Sequence, residues 1–109
     1  MSHNHFWQVS ALEKHQAKAG RAYLEFLRVP AMSAGLYVLT AGSSDQQSPH
    51  QEDEMYYVVR GKAQMKVGTE SQPVGAGSVV FVEKRVEHRF YDITDELVVL
   101  VFFAPAETA

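Results

Sequence analysis

Three side chains that can bind a metal ion lie at every second position, just ahead of an aromatic and β-branched run. His50, Glu52 and Glu54 precede the segment from Tyr56 to Val59. If this part of the chain is extended, side chains two residues apart project from the same face. A neutral imidazole beside carboxylates is a donor set that suits a divalent metal ion. The pattern therefore predicts a metal site, and a solvated acidic loop that enters a strand is the alternative.

A second segment carries another histidine into a strand. Residues 77–82 are glycine, serine and an apolar run, residues 83–87 are mostly charged, and His88 opens the next apolar strand. His88 shares strand parity with Phe90, so both face inward if either does. A buried carboxylate beside two imidazoles requires a compensating cation, which a divalent metal ion supplies. The alternative is a metal-free pocket in which one imidazolium pairs with Glu54.

Together the two segments resemble the paired motifs of the cupin superfamily in order and spacing. The first family motif contains a glycine, two histidines, a glutamate and a glycine, and the second contains a glycine, a proline, a glycine, a histidine and an asparagine. The matching positions here are Gly42, Ser48, His50, Glu54 and Gly61, followed by Gly77, Glu83, Arg85, His88 and Asp92. The chain departs from the family pattern at Ser48, Glu83, Arg85 and Asp92.

The resemblance implies that His50, Glu54 and His88 ligate a divalent metal ion such as iron, manganese, nickel or zinc. Ser48 stands where the family has its first histidine, and a serine is a poor ligand for such an ion. Glu52 lies on the same predicted face as His50 and Glu54. It is either a fourth ligand or an acceptor for a histidine N–H.

An open metal site of this kind can polarise a carbonyl or enol oxygen, acidify a bound water or bind dioxygen. The resemblance implies a metal-dependent enzyme, a dioxygenase, isomerase or lyase, that acts on a small oxygenated metabolite. Tyr56 is a candidate acid or stacking surface in its pocket, with core packing as the alternative. The second functional hypothesis is a cupin that binds or senses a small ligand without turnover, which Ser48 at the histidine position favours.

The composition indicates one small domain. The chain has 109 residues, of which 46% are hydrophobic and 11% aromatic, enough for one core. It has no cysteine, which excludes disulfides, thiolate metal sites and a cysteine nucleophile. Ten basic against 13 acidic residues give a net charge of −3, so we expect no nucleic-acid partner. No apolar run is long enough to span a bilayer and no leader pattern is visible, so we expect a cytoplasmic protein.

The local patterns predict an all-β fold with a short N-terminal helix. Capping-box spacing at Ser10 and Glu13, with Gly20 as a stop, predicts a helix over Ala11–Ala19, and Phe6–Val9 reads as an outer strand. With a turn at Gly61-Lys62, the further strands are expected over residues 21–29, 36–41, 55–60, 63–67, 78–82, 87–91 and 96–103. Periodicity supports an antiparallel sandwich or barrel. The resemblance narrows this to the double-stranded β-helix, the jelly-roll barrel of cupins.

We expect residues 1–30 to form an N-terminal arm and residues 31–109 to form the cupin barrel domain. The strand expected over residues 21–29 is apolar on both faces, so a second layer or a partner subunit should cover it. Cupins often pair through edge strands, and such pairing removes exposed strand edges. We therefore expect a homodimer with the arm at the contact, and a small molecule as ligand or substrate.

Overall fold

The computed structural model describes residues 5–108, which form one helix and six strands. The helix and strands are α1 Val9–Ala19, β1 Tyr23–Val29, β2 Met32–Leu39, β3 Asp53–Val67, β4 Glu70–Gly75, β5 Val79–Val82 and β6 His88–Ala104. The all-β fold with a short N-terminal helix is confirmed. None of these described residues belongs to a helix long and apolar enough to cross a membrane.

The strands pair antiparallel in the order β1-β2-β6-β3-β4, and β5 pairs with the first part of β3. The two longest strands, β3 and β6, face each other from Asp53 opposite Ala104 to Val67 opposite His88. Their register shifts at three places between Val58 and Gln64. At each shift one strand has more residues than the strand opposite, as in a β-bulge. Bulges bend a strand and increase its twist, so this long pair of strands can curve around the core.

The predicted turn at Gly61-Lys62 is wrong, because β3 continues through both residues. Gly61 has a φ of +105°, and a Cβ there would meet the backbone of Glu96 and Leu97 on β6. The glycine therefore permits two backbones to approach within the sheet. Similarly, the two strands expected on either side of Asp92 are one strand, β6, in which Asp92 has a φ of +49°.

Two further strand boundaries differ from expectation. No strand is expected between Val67 and Ser78, but this stretch contains β4, which pairs with β3 and includes Pro73. Proline is tolerated there because β4 lies at the edge of the sheet, where one face of its backbone has no ladder partner. β2 begins at Met32 instead of Leu36, since Met32 already pairs with Val29 across a tight hairpin.

Helix α1 begins earlier than expected and without the predicted capping box. It starts at Val9, and no side chain caps its first turn, so the strand expected over Phe6–Val9 is wrong as well. The carboxylate of Glu13 instead pairs with the Arg60 guanidinium at 2.5 Å. At the other end, Gly20 adopts the left-handed conformation expected of a helix stop, with a φ of 68°.

Two apolar clusters pack against the sheet. The larger fills the barrel, and its fully buried members include Tyr56, Phe90 and Leu97. The smaller lies under α1 and is built on Leu12, Leu36 and Val98, with the Trp7 ring 5.0 Å from that of Phe26. Helix α1 thus covers the outer face of β1, which accounts for a strand that is apolar on both faces.

The predicted division between arm and barrel falls in the hairpin between β1 and β2. These strands pair from Tyr23 opposite Tyr37 to Val29 opposite Met32, so the described part of the arm belongs to the same sheet as the barrel. Residues 1–4 and 109 of the two predicted ranges lie outside the described residues. The division itself stays a prediction.

Candidate metal centre

His50, Glu54 and His88 come from three parts of the fold. His50 lies in the irregular segment before β3, Glu54 is the second residue of β3, and His88 is the first residue of β6. Glu54 faces inward because it shares strand parity with the buried Tyr56 and Val58. His50 is not part of a strand, so the parity predicted for it does not explain its position.

Backbone contacts hold the His50 segment against the turn that leads into His88. The Arg85 N–H donates to the His50 carbonyl at 2.7 Å. The neighbouring Lys84 N–H donates to the Asp53 carboxylate at 3.0 Å. These two bonds connect the segment around His50 with the turn before His88, although the two segments are distant in sequence.

The Glu54 carboxylate lies between the two imidazoles. Its Oε1 is 3.1 Å from His50 Nδ1 and 3.1 Å from His88 Nε2. One ligand atom from each of the three residues lies within 4.8 Å of the other two. The Glu54 and His88 side chains are each 1% exposed, and that of His50 is 17% exposed. The three side chains form a compact set of two nitrogen donors and one carboxylate.

Among residues 5–108, several polar atoms of this set contact one another closely but make no well-directed hydrogen bond. Within residues 5–108, nothing offers a well-directed hydrogen bond to His50 Nδ1, His88 Nε2 or either Glu54 oxygen, although all four atoms are buried. Leaving such atoms unpaired in the interior is costly. Ligands about 2.1 Å from a metal ion and about 90° apart are separated by about 3 Å, which matches the two distances from Glu54 Oε1 to the imidazole nitrogens. The donors, their spacing and their unpaired state therefore fit a divalent metal ion.

Without an ion, the three groups shift one another's pKa. Contact with Glu54 is the main cause that raises the pKa of His50. Burial lowers the pKa of His88, but Glu54 and the Val86 carbonyl outweigh it, and the net shift is upward. Burial raises the pKa of Glu54, and contact with the two imidazoles outweighs it, so that its pKa is lowered. A bound cation would keep the imidazoles neutral and the carboxylate ionised.

Each imidazole has its second nitrogen near an oxygen acceptor. His88 Nδ1 is 2.9 Å from the Val86 carbonyl oxygen. His50 Nε2 is 3.3 Å from Glu107 Oε2. Metal-ligating histidines usually donate their other N–H to such an acceptor, which fixes the ring and its tautomer. The His88 ring is therefore held from outside the three-residue set by a hydrogen bond, and the His50 ring has a carboxylate oxygen close to its outer nitrogen.

A cavity of about 200 Å³ adjoins the centre. Its walls include His50, Glu54, Tyr23, Tyr37, Tyr56, Val101 and Phe103. The Tyr37 hydroxyl donates to Asp45 at 2.7 Å, and the Tyr56 hydroxyl donates to Gln47 at 3.2 Å. The Tyr23 hydroxyl is buried and has no partner among the described residues. It is therefore free to donate a hydrogen bond to a molecule in the cavity.

The Tyr23 ring lies against Gly35 of the neighbouring strand β2. A Cβ at position 35 would overlap the ring, so the glycine leaves the space that the ring occupies. Burial is the main cause that raises the pKa of Tyr23 above its usual value, and the nearby Glu107 and Glu25 raise it further. The hydroxyl therefore keeps its proton at neutral pH and remains a donor.

The family model for the cupin domain matches residues 35–104, a stretch that contains all three candidate ligands. The chain belongs to the cupin family. An uncharacterized protein of Streptomyces coelicolor is 47% identical to this cupin over 102 residues, which cover 94% of this chain and 97% of that protein.

Solved structures share the fold at low sequence identity. TT1209 from Thermus thermophilus matches with a TM-score of 0.76 and 19% identity, over 94% of this cupin and 99% of that chain. An RmlC-like cupin with a double-stranded β-helix fold from Methanocaldococcus jannaschii matches at 0.69 and 18%, over 76% and 78%. Fe(II)-HppE with the alternative substrate (S)-1-HPP matches at 0.65 and 19%, over 74% and 48%. The expected double-stranded β-helix barrel is confirmed.

The other residues singled out in the sequence lie around the centre of this cupin. Ser48 is exposed and lines, with His50, a separate surface cavity of about 630 Å³. Glu52 is buried, but its Oε2 accepts bonds from the Thr108 N–H at 3.3 Å and hydroxyl at 2.8 Å. Glu52 is not in the group of ligand atoms within 4.8 Å of one another. Tyr56 is fully buried and borders the cavity.

Two carboxylates near the site were missed by sequence reasoning. Asp45 is buried and accepts bonds from the Tyr37 hydroxyl, the Gln47 amide at 2.8 Å and the Phe90 N–H at 2.9 Å. Glu107 follows β6 and contacts His50. Both lie in stretches without strand periodicity, so neither spacing nor parity marks them.

Proposed function

We propose that this cupin is a metal-dependent enzyme that acts on a small oxygenated metabolite as a dioxygenase, isomerase or lyase. The observation that carries the proposal is the convergence of unpaired, buried ligand atoms from His50, Glu54 and His88 beside a cavity. Two nitrogens and one carboxylate leave coordination positions open and suit iron, manganese, nickel or zinc.

The metal would supply Lewis-acid polarisation of a substrate oxygen or activation of a bound water or dioxygen. The chain supplies the remaining functions. Glu54 provides the negative charge that balances the cation, while the apolar walls at Val101 and Phe103 limit the access of water. The Tyr23 hydroxyl, as a neutral donor without a partner among the described residues, orients a substrate oxygen in the cavity.

The size of the cavity supports a small substrate. A volume of about 200 Å³ equals that of roughly seven liquid waters at about 30 Å³ each. The Fe(II)-HppE structure contains iron and a substrate, which supports the cupin barrel as a host for such chemistry. Because one fold hosts many reactions, the likeness does not select among the three classes.

Metal analysis tests the proposal. We expect wild-type protein purified without added metal to contain a near-stoichiometric divalent ion, and His50→Ala and His88→Ala to lose at least about nine-tenths of it. His15→Ala is the matched control, because His15 is exposed on α1 away from the centre. A substoichiometric metal content that is the same in wild type and in both site variants would refute the proposal.

The second candidate function is a cupin that binds or senses a small ligand without turnover. The serine at position 48 and the Tyr23 hydroxyl, which has no partner within residues 5–108, favour it, since both are compatible with a cavity that recognises a ligand without metal. A ligand-dependent rise in Tm that a chelator leaves unchanged would support this function. Loss of stability on chelation would support the enzyme instead.

We further propose that the protein is a cytoplasmic homodimer. The absence of cysteine fits a reducing compartment.

A further inference from the structure

The two histidines of the metal centre are arranged alike, but they use different acceptors. In His88, Nε2 faces Glu54 at 3.1 Å and Nδ1 lies 2.9 Å from the Val86 carbonyl oxygen. In His50 the order is reversed, because Nδ1 faces Glu54 at 3.1 Å and Nε2 lies 3.3 Å from Glu107 Oε2. Each ring thus presents one nitrogen to the centre and the other to an oxygen.

We propose that Glu107 is a positioning residue of the metal centre. When Nδ1 of His50 ligates the ion, the Glu107 carboxylate, 3.3 Å from Nε2, accepts the Nε2–H and keeps the lone pair of Nδ1 directed at the ion. This inference rests on the proposed metal-dependent function. Glu107 does for His50 what the Val86 carbonyl does for His88, and such outer acceptors contribute strongly to metal affinity.

The backbone of Glu107 is fixed independently of its side chain. Its N–H donates to the hydroxyl of the buried Ser33 at 2.9 Å, and its carbonyl accepts a bond from the Arg28 guanidinium at 2.8 Å. The next residue, Thr108, is held by the Glu52 carboxylate through both its N–H and its hydroxyl. Substitution of the Glu107 side chain should therefore leave this segment in place.

The geometry favours positioning over direct ligation. Nδ1 and Nε2 of one imidazole point away from each other, so an oxygen near Nε2 lies on the opposite side of the ring from Glu54. Consistent with this, Glu107 contributes no atom to the group of ligand atoms within 4.8 Å of one another. Glu52 supports the position of Glu107 indirectly, because its carboxylate binds Thr108, the next residue in the chain.

The test compares Glu107→Ala and Glu107→Gln, with the exposed Glu83→Gln as a matched control. The tautomer of His50 is read from its ring nitrogen shifts in metal-free protein at mildly alkaline pH, and affinity is measured by titration with Co²⁺ and Zn²⁺. In metal-free protein Glu54 competes for a proton on His50 Nδ1, so the tautomer of each variant is compared with that of wild type. We expect Glu107→Ala to shift the neutral His50 ring toward the Nδ1–H tautomer and to weaken metal binding by about 10–100-fold.

Glu107→Gln should retain the tautomer and most of the affinity, because its amide oxygen still accepts the N–H. An unchanged tautomer and affinity in Glu107→Ala would overturn the proposal. A second outcome would also overturn it: Glu107→Gln binds metal as weakly as Glu107→Ala and has an altered Co²⁺ absorption spectrum. That result would mean that Glu107 is itself a metal ligand. The tautomer is measured without metal and therefore tests the contact between Glu107 and His50 independently of metal binding. A wild type that binds no ion would refute the proposed function, and the tautomer measurement would still show whether Glu107 affects the His50 ring.

Discussion

Glu54 Oε1 faces two imidazole nitrogens at equal distances of 3.1 Å. In metal-free protein this contact raises the pKa of both histidines and lowers the pKa of Glu54. The histidine contribution to stability is present below the unfolded pKa of about 6.5 and is lost as the pH rises through the higher folded values. The Glu54 contribution is present above the unfolded pKa of about 4.3 and is lost as the pH falls through the lower folded value.

A pH-dependent stability therefore follows at the residue scale. We expect metal-free protein to be most stable at mildly acidic pH, between these two transitions. With a saturating divalent ion the optimum should move to higher pH, because a bound ion requires both imidazoles to be neutral. Urea unfolding across this range, with chelator or with metal, measures the shift. Identical pH profiles in both conditions would argue against an ion at His50, Glu54 and His88.

At the element scale, the curvature of β3 and β6 brings the site residues together, and Gly61 lies where the two backbones are closest. Its positive φ is strained for other residues, and a Cβ would meet the backbone of β6 rather than a movable side chain. The fold should therefore be more sensitive to substitution here than at glycines that simply form turns.

We expect Gly61→Ala to lower the free energy of unfolding by about 3 kcal/mol or more, from backbone strain and overlap together. Gly68→Ala is the matched control: its φ is also positive, at +60°, but the nearest neighbour of a Cβ there is a Val86 methyl at 3.8 Å. Its cost should be only about 1–2 kcal/mol. Urea denaturation of both variants measures the difference, and equal losses would contradict the role assigned to close backbone approach.

The same elements indicate how far the sequence could predict the structure. Alternating patterns predicted an antiparallel β sandwich or barrel. The resemblance to the cupin motifs selected the barrel and singled out His50, Glu54 and His88, which the structure brings together. The position of Gly61 could not be predicted, because a glycine between charged residues has the same local pattern in a turn and in a bulged strand. Glu107 could not be predicted either, since only tertiary contacts bring a residue beyond β6 back to a loop that precedes β3.

At the scale of the whole molecule, an apolar patch remains exposed on the outer face of β3 and β5. Met55 and Tyr57 are 44% and 41% exposed, and their cross-strand partners Phe81 and Val79 are 55% and 60% exposed. The four side chains are contiguous, because Met55 pairs with Phe81 and Tyr57 with Val79. Contiguous exposed apolar surface of this kind is typical of an interface. We propose that a second copy of the chain covers it.

Two substitutions distinguish this face from the N-terminal arm as the dimer contact. We expect Phe81→Glu to weaken self-association at least about tenfold, because it places a charge within the apolar patch. Phe6→Glu, at the 92% exposed Phe6 of the arm, should leave self-association unchanged. Sedimentation equilibrium measures both variants. A wild type that is monomeric at micromolar concentration would end the dimer proposal, and dissociation by Phe6→Glu alone would move the contact to the arm.

Tyr23 lines the cavity, and its ring lies against Gly35. The size of the residue at position 35 therefore affects the position of the ring and the width of the cavity. Any side chain at position 35 must displace the aromatic ring, yet this residue is not one of the cavity-lining residues and provides no ligand atom. The range of molecules that fit the cavity can therefore change through a single small residue in β2, while His50, Glu54 and His88 keep their positions. Related proteins that differ at this position should accept molecules of different bulk.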